Sequence, residues 1–355
     1  MLSLGKSKQG LLGVDISSAA VKVLELARQG KGYRVEAFAV EPLPDGVMVD
    51  KVCQDTEAVG NALSRAVKRS GSRLKHCAMA VPSSAVITKT IQMSAALGDA
   101  ELEGQVFVEA DQYIPYTLEE VNLDFQVIGK NEKNPQMVDV LVVASRRENV
   151  DSRVAIAESA KLVTELVDVE AYAIEHAAER LIAGLPDRES KPVVAIVDVG
   201  SSVTAVYVVS QTEGVIYTRE QNFGGRMLTE EIMRRYNMNY QEAGAAKMGG
   251  DLPADYVSSI LEPFKQTMMD QIQRLLQYFY VTRPQDTIDH ILLGGGCAAI
   301  VGVDEMLEEV TGTPVSVANP FHGMAMARRV NQQRFANDAP ALLTACGLAM
   351  RGYAT

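Results

Sequence analysis

One arrangement occurs twice in this chain, and it restricts the fold more than any other feature. Val193 to Val209 reads VVAIVDVGSSVTAVYVV. Val193, Val194, Ile196 and Val197 form a short β-branched apolar run that stops at Asp198, as a buried strand does. Gly200-Ser201-Ser202 makes the turn. Thr204, Val206 and Val208 then alternate with Val203, Ala205, Tyr207 and Val209 through a second strand. Near the start, Leu11 to Leu26 reads LLGVDISSAAVKVLEL. Again an apolar run ends in an aspartate, Asp15, followed by Ser17, Ser18 and a β-rich segment. Each copy offers one carboxylate for a hydrated metal ion, with N–H and hydroxyl donors for phosphate oxygens. Ordinary turns also use Asp and Ser, so either copy alone would say little. Two such hairpins facing each other would grip a nucleotide tail from both sides.

A third motif supports that reading. Ile288 to Leu307 reads IDHILLGGGCAAIVGVDEML. A strand through Ile291, Leu292 and Leu293 runs into Gly294-Gly295-Gly296, and a helix is expected from near Ala298. Glycines let the backbone approach a ligand with no Cβ in the way, and a helix N-terminus adds donors. This is not the G-x-G-x-x-G dinucleotide fingerprint, which would open the first βα unit.

At 355 residues the chain exceeds one ordinary core and predicts two large lobes. The net charge of −11 argues against a nucleic-acid surface, which needs clustered Lys and Arg, and leaves room for a basic peptide partner. There is no N-terminal apolar h-region and no apolar run long enough to span a bilayer, so a cytoplasmic location is expected. Cys53, Cys77, Cys297 and Cys346 are scattered without a C-x-x-C, which suits a reducing compartment. His76, His176, His290 and His322 form no metal-ligand spacing.

Taken in order, residues 1–10 read as a loose arm. Gly5-Lys6-Ser7 mimics the end of a P-loop, but no strand precedes it. Strands follow at Leu12 to Asp15, Ala20 to Ala27 and Tyr33 to Val40, then a helix over Asp55 to Ser70 and a strand at Ala78 to Val81. Val86 to Lys161 reads as an inserted subdomain of order βαββα, a small sheet with helices on one face. Leu166 to Leu185 is expected as a connecting helix with Asp168 and Glu170 at its start. The second lobe begins near Pro192. Its third strand, Gly214 to Gln221, leads to Gly224-Gly225 and a helix expected to start at Thr229 and Glu230. Leu261, Phe264, Met268, Ile272, Leu275 and Phe279 form a helical stripe that reads as core. A closing helix is expected over Ala339 to Arg351. The resulting division is 1–87 first lobe, 88–162 inserted subdomain, 163–190 connecting helix, 191–338 second lobe and 339–355 closing helix.

The three motifs in this order resemble the actin-like ATPase superfamily of actin, heat-shock chaperone ATPases, MreB, FtsA and sugar kinases. Within it the chain is most similar to the PilM family, FtsA-like cytoplasmic proteins of type IV pilus assembly. The opening G-V-D-I-S-S-A-A-V-K-V-L-E-L, the D-Q-Y-I-P-Y at Asp111 to Tyr116 and the L-V-D-V-E-A-Y-A at Leu166 to Ala173 carry the likeness, which extends over nearly the whole chain. The resemblance implies a two-lobed α/β actin-like fold with an FtsA-type 1C subdomain, and ATP with Mg²⁺ in the cleft at the strand ends.

On that resemblance Asp15 and Asp198 would hold the metal through water, and Ser17, Ser18, Gly200, Ser201, Ser202 and Thr204 would touch phosphates. Lys22 falls where actin has its phosphate lysine. Gly224 and Gly225 match a Gly-Gly before a helix, and Gly294, Gly295 and Gly296 would lie by the adenosine. Gln241 to Gly250, QEAGAAKMGG, resembles the A-E-x-x-K helix of FtsA-type proteins. Lys247 is kept, while the Glu position reads Gly244. Asp168 or Glu170 falls where related ATPases position the attacking water. Acidic residues in the first turn of a helix are also ordinary capping, and that is the commoner reason for them.

The resemblance favours an ATP-binding assembly factor with weak or absent hydrolysis. PilM-like proteins bind the short cytoplasmic N-terminal tail of the inner-membrane protein PilN. The segment Ala349 to Thr355 carries no basic amphipathic tail, so the protein is expected at the inner membrane through its partner and without inserting. An extended peptide needs a groove or a sheet edge. Tyr113-Ile114-Pro115-Tyr116 is the candidate wall, in a cleft where the inserted subdomain meets the first lobe. Pilus motor ATPases and a second copy of the chain are further partners within this reading. The alternative is a superfamily enzyme. A small-molecule kinase needs a substrate-side base and pocket that no motif supplies. A chaperone-type ATPase needs a substrate-binding domain after the second lobe, and the sequence ends at Thr355.

Overall fold

The computed structural model describes residues 10–185 and 192–353. The Gly5-Lys6-Ser7 arm lies outside the described residues. The chain opens with β1 (Leu12–Ile16), β2 (Ala20–Gln29) and β3 (Gly32–Pro42), an antiparallel meander in which Asp15 stands directly opposite Lys22. The short strands β4 (Met48–Val49) and β5 (Val52–Cys53) form a hairpin. Helix α1 (Thr56–Ser70) follows. Its N-cap Asp55 accepts the Ala58 N–H at 2.9 Å, and Gly71 closes it in the left-handed conformation at φ 72°. After β6 (His76–Val81) come β7 (Val86–Ser94), α2 (Asp99–Ala110), β8 (Val121–Lys130), β9 (Met137–Arg146) and α3 (Arg147–Ser159).

Next are β10 (Val163–Val169) and α4 (Glu170–Ile182). The second half repeats the opening plan with the meander β11 (Val193–Val199), β12 (Thr204–Ser210) and β13 (Gly214–Gln221). Helices α5 (Gly225–Tyr236), α6 (Tyr240–Gly249) and α7 (Glu262–Thr282) lead to β14 (His290–Gly294), α8 (Val303–Thr311) and β15 (Val315–Val317). The chain closes with β16 (Ala325–Met326), α9 (Gln332–Asp338) and α10 (Leu343–Arg351).

Two compact units result. The larger is built by the chain up to Ala80 and from Ile156 onward, and the smaller by Val81–Ala155. The larger holds two lobes of one design. The first lobe has a six-stranded sheet of order β10-β6-β1-β2-β3-β16, the second a five-stranded sheet of order β13-β12-β11-β14-β15. In both, the first strand of the meander also pairs in parallel with a later strand, β6 or β14. These central strands are buried along their length, so they read as continuous apolar runs that only an aspartate interrupts. In the first lobe, Leu12, Val14 and Val23 pack with Val59 and Leu63 of α1. In the second, Phe264, Met268, Ile272, Leu275 and Phe279 of α7 pack under Val197, Val206 and Leu293, so the predicted stripe is core.

The smaller unit is a three-stranded antiparallel sheet of order β7-β9-β8. Leu102, Val106 and Ala110 of α2 cover Ile91, Met93, Val140 and Val142.

Several expectations change. Leu166 to Val169 belong to strand β10, and the connecting helix α4 starts only at Glu170. The segment carries both β-branched alternation and helical spacing, and pairing in the sheet decides between them. The glycine motif feeds a 3₁₀ turn, Gly296–Ala299, and α8 begins later, at Val303. Thr229 and Glu230 lie inside α5, whose N-cap is Gly224. The Thr229 hydroxyl back-bonds to the Gly225 carbonyl at 3.2 Å, so it caps nothing. The closing segment starts as a 3₁₀ turn, Ala339–Leu342, before α10.

Candidate functional site

Both aspartates stand at the C-terminal ends of central strands. Asp15 is 7% exposed. Pairing of β1 with β2 sets Lys22 across from it, and the ammonium reaches the Asp15 carboxylate at 2.8 Å. Burial disfavours the Lys22 charge, but Asp15 and then Asp198 outweigh it and hold the lysine above its ordinary pKa. The two loops therefore act on one cation. Burial likewise pushes the Asp198 carboxyl above its usual range, with Lys22 and Lys51 pulling against it.

The first loop is a tight turn in which Ser17 donates both its N–H (3.0 Å) and its hydroxyl (2.9 Å) to the Ala20 carbonyl. Ser18, Ser201 and Ser202 are half-buried, and their hydroxyls bond to no described residue. Thr204 differs from its expected setting, being fully buried and donating to the Phe223 carbonyl at 2.9 Å. The second loop closes through Gly200 N–H to Val203 O at 3.0 Å. It is held from the side by α5, whose Gly225 and Arg226 N–H groups donate to the carbonyls of Gly200 and Ser201 at 3.0 and 2.8 Å. A Cβ on Gly224 would overlap those carbonyls. Gly224 and Gly225 thus position the loop, and the helix start spends donors on it.

The glycine motif lies directly against Asp198. Parallel pairing of β11 with β14 puts Gly294 beside Asp198. Gly295 has φ 83°, and a Cβ there would overlap the Val199 carbonyl and an Asp198 carboxylate oxygen. The Gly295 N–H donates to Pro340 O at 2.9 Å, and Leu343 packs on Gly294. Lys247 reaches in from α6. Its ammonium donates to Thr229 Oγ1 at 2.7 Å and to Gly225 O at 3.4 Å, and burial lowers its pKa.

Asp168 and Glu170 prove to be different kinds of group. Asp168 sits in β10, 8% exposed, with Arg351 of α10 at 2.9 Å. Glu170 opens α4 and lies among the charges around Asp15. Its carboxylate meets Lys51 at 2.6 Å, and Lys51 also meets Glu220 of β13 at 2.9 Å. Burial raises the Glu170 carboxyl, Lys51 opposes that, and Asp15 adds to it. Lys51 and Glu220 carry no motif, and only the folded chain assembles them here.

In the smaller unit Tyr113 and Ile114 follow the end of α2. With Ile87 and Ile91 of β7 and Val142 of β9 they line an apolar slot, and the Lys89 ammonium lies 5.1 Å from the Tyr113 ring centre. The Arg146 guanidinium lies 5.3 Å from the Tyr116 ring centre. Among the described residues no helix is long and apolar enough to cross a membrane.

Residues 13–353 match the sequence pattern of the family described as type IV pilus assembly protein PilM. A solved PilM-PilN type IV pilus biogenesis complex is similar at 25% identity and TM-score 0.78, with 98% of this chain and 100% of that chain covered. The ethanolamine utilization protein EutJ from Carboxydothermus hydrogenoformans is similar in fold, at 16% identity and TM-score 0.57, over 96% of this chain and 89% of that one. Two lobes of one design with aspartate-ended central strands are the actin-like fold, and the chain belongs to the type IV pilus assembly protein PilM family.

Proposed function

We propose that this protein is an ATP-binding assembly factor for type IV pili that docks on the cytoplasmic tail of a PilN-like inner-membrane protein. One observation carries the nucleotide half: the duplicated loops end their central strands in Asp15 and Asp198, the buried Lys22 ammonium pairs with Asp15 at 2.8 Å, and the glycine motif packs directly on Asp198. The residues fit a hydrated Mg²⁺. The Asp198 carboxylate accepts no hydrogen bond from a described residue, and no group of three or more His, Cys, Asp or Glu among them is placed to hold a metal directly. In this reading the two carboxylates would hold the ion through water. When bound, the ion would neutralise phosphate charge. Ser18, Ser201 and Ser202 would offer hydroxyls to the phosphates, and Lys22 would exchange part of its pairing with Asp15 for them. The backbone at Gly294–Gly296 would pass close to the adenosine. Lys247 would lie on the ribose side.

The partner half follows from family membership and from the PilN named with the solved relative. Between Thr90 and Gly129 every charged side chain is acidic, which suits Lys or Arg in the tail away from the Tyr113 and Tyr116 rings, where Lys89 and Arg146 already lie. The slot beside Tyr113 and the segment Pro115-Tyr116 would take its apolar residues. Attachment at the inner membrane would then come through the partner.

The experiment is a thermal melt of nucleotide-stripped protein with and without MgATP, followed by calorimetry with a synthetic PilN-type tail. MgATP raising the melting temperature and saturable peptide binding are expected. A melt unmoved by MgATP would refute the nucleotide half.

A further inference from the structure

Lys51 occupies the two-residue turn between β4 and β5, with Val49 paired to Val52. Asp50 and Lys51 both adopt positive φ, 48° and 63°. Such a turn normally uses Asn-Gly, because ordinary side chains resist that backbone. Residues held there persist where the surroundings over-determine them. Here the Lys51 ammonium is anchored 2.6 Å from Glu170 and 2.9 Å from Glu220, with all three side chains largely shielded from water. Glu170 opens α4 of the first lobe, and Glu220 stands on the edge strand of the second. Glu170 also lies within electrostatic reach of Asp15, Lys22 and Glu220. It is therefore a carboxylate of the same buried charge group as the first loop.

Resting on the nucleotide reading above, we infer that Lys51 suppresses hydrolysis by engaging Glu170, so that nucleotide is held and not turned over. In the withheld step, a water oxygen bonds to the terminal phosphorus and the bond from that phosphorus to the bridging oxygen breaks. ADP departs with that electron pair, and the water's proton passes to the Glu170 carboxylate. The Lys51 ammonium, 2.6 Å from one oxygen of that carboxylate, stabilises its charged form and makes it a weaker base. Glu220 is the positioning residue that keeps Lys51 there from the other lobe.

The test uses the full chain, after its MgATP shift has been measured. Lys51→Asn suits the left-handed turn and removes the cation. It is expected to raise phosphate release about 10²-fold, the lower end of what a general base supplies. Release by that variant should also rise with pH as Glu170 ionises. Lys51→Arg should stay at the wild-type rate, and Lys51→Asn with Glu170→Gln should return to it. Glu220→Gln, which loosens Lys51 without touching Glu170, should give a smaller rise.

A second readout needs no nucleotide. Without the ammonium, Glu170 loses the cation that opposes its raised pKa and keeps Asp15 and Glu220 nearby, so Lys51→Asn should gain melting temperature as pH falls, relative to wild type. The further Glu170→Gln change should flatten that gain. A Lys51→Asn protein that keeps the MgATP shift but releases phosphate at the wild-type rate overturns the inference alone. So does a rise that survives Glu170→Gln. A wild-type protein without the MgATP shift overturns the nucleotide reading, and the inference with it.

Discussion

Asp15 and Asp198 sit on different lobes, and each is followed by small polar residues whose hydroxyls, at Ser18, Ser201 and Ser202, bond to no described residue. This pattern suits groups waiting on a ligand better than groups stabilising a turn. Asp15→Ala or Asp198→Ala is therefore expected to remove most of the stabilisation by MgATP. Wild type should gain about 3 kcal/mol at a hundredfold excess over the dissociation constant, read as a melting-temperature shift. Circular dichroism of both variants checks that they fold, since Asp15→Ala leaves the buried Lys22 ammonium without its 2.8 Å partner. Steady-state phosphate release by the wild type should stay far below the about 10 per second of a typical enzyme, since Glu170 is engaged by Lys51. A rate near that value would restore the enzyme reading.

Among the elements, α10 is seated through close contacts at glycines. A Cβ on Gly13 of β1 would overlap Ala345 and Ala349, and one on Gly347 would overlap the Ala173 backbone of α4. Small residues let this helix lie against both a central strand and α4. Gly347→Ala should gain about 1 kcal/mol in helix propensity. It should lose more, because the obstacle is backbone that cannot rotate away and overpacking costs about 1–3 kcal/mol or more. A net loss of about 2 kcal/mol by urea unfolding is expected, and an unchanged midpoint would show that α10 can slide. A second element contact is titratable. Glu175 of α4 faces Gly214 and accepts the Val215 N–H of β13; burial, then Glu179, raises its pKa from 4.5 to about 7. The folded state thus holds a proton that the unfolded state releases, so this group's stabilisation is complete below about pH 4.5 and lost as pH rises through about 7. Melting temperature measured over that window should fall less steeply in Glu175→Gln. An unchanged slope would place the titration elsewhere.

For the molecule as a whole, the proposed function puts nucleotide on the larger unit and peptide on the smaller. They should be separable. A protein in which Val81–Ala155 is replaced by a short linker should lose binding of the PilN-type tail and keep its MgATP shift, since every group of the charged cleft lies in the larger unit. Calorimetry showing full peptide affinity after the replacement would move the peptide site to the larger unit. The acidic run from Thr90 to Gly129 adds a salt effect. Raising ionic strength should slow peptide association more than it speeds release.

The duplicated loops, the glycine motif and the α7 stripe were legible because each is local. A strand that stops at an aspartate, a turn of small polar residues and a 3.6-residue period are written in consecutive positions. The family was legible for the same reason, from motifs spread along the whole chain. Boundaries were less so. Leu166 to Val169 joins a sheet because β6 is there to receive it, which spacing alone does not show. The helix after Gly296 is delayed by a 3₁₀ turn. Thr204, read as a phosphate contact, is fully buried on Phe223, because a neighbouring strand end offers it a carbonyl. Lys51 and Glu220 were invisible. Each is an ordinary charged residue near a turn or a strand edge, and its role comes from a partner 119 or 169 positions away. The chemistry of the loops was thus fixed by neighbours in sequence, while the charge balance of the cleft was fixed by neighbours in space. Buried charges persist only where folding brings them a partner.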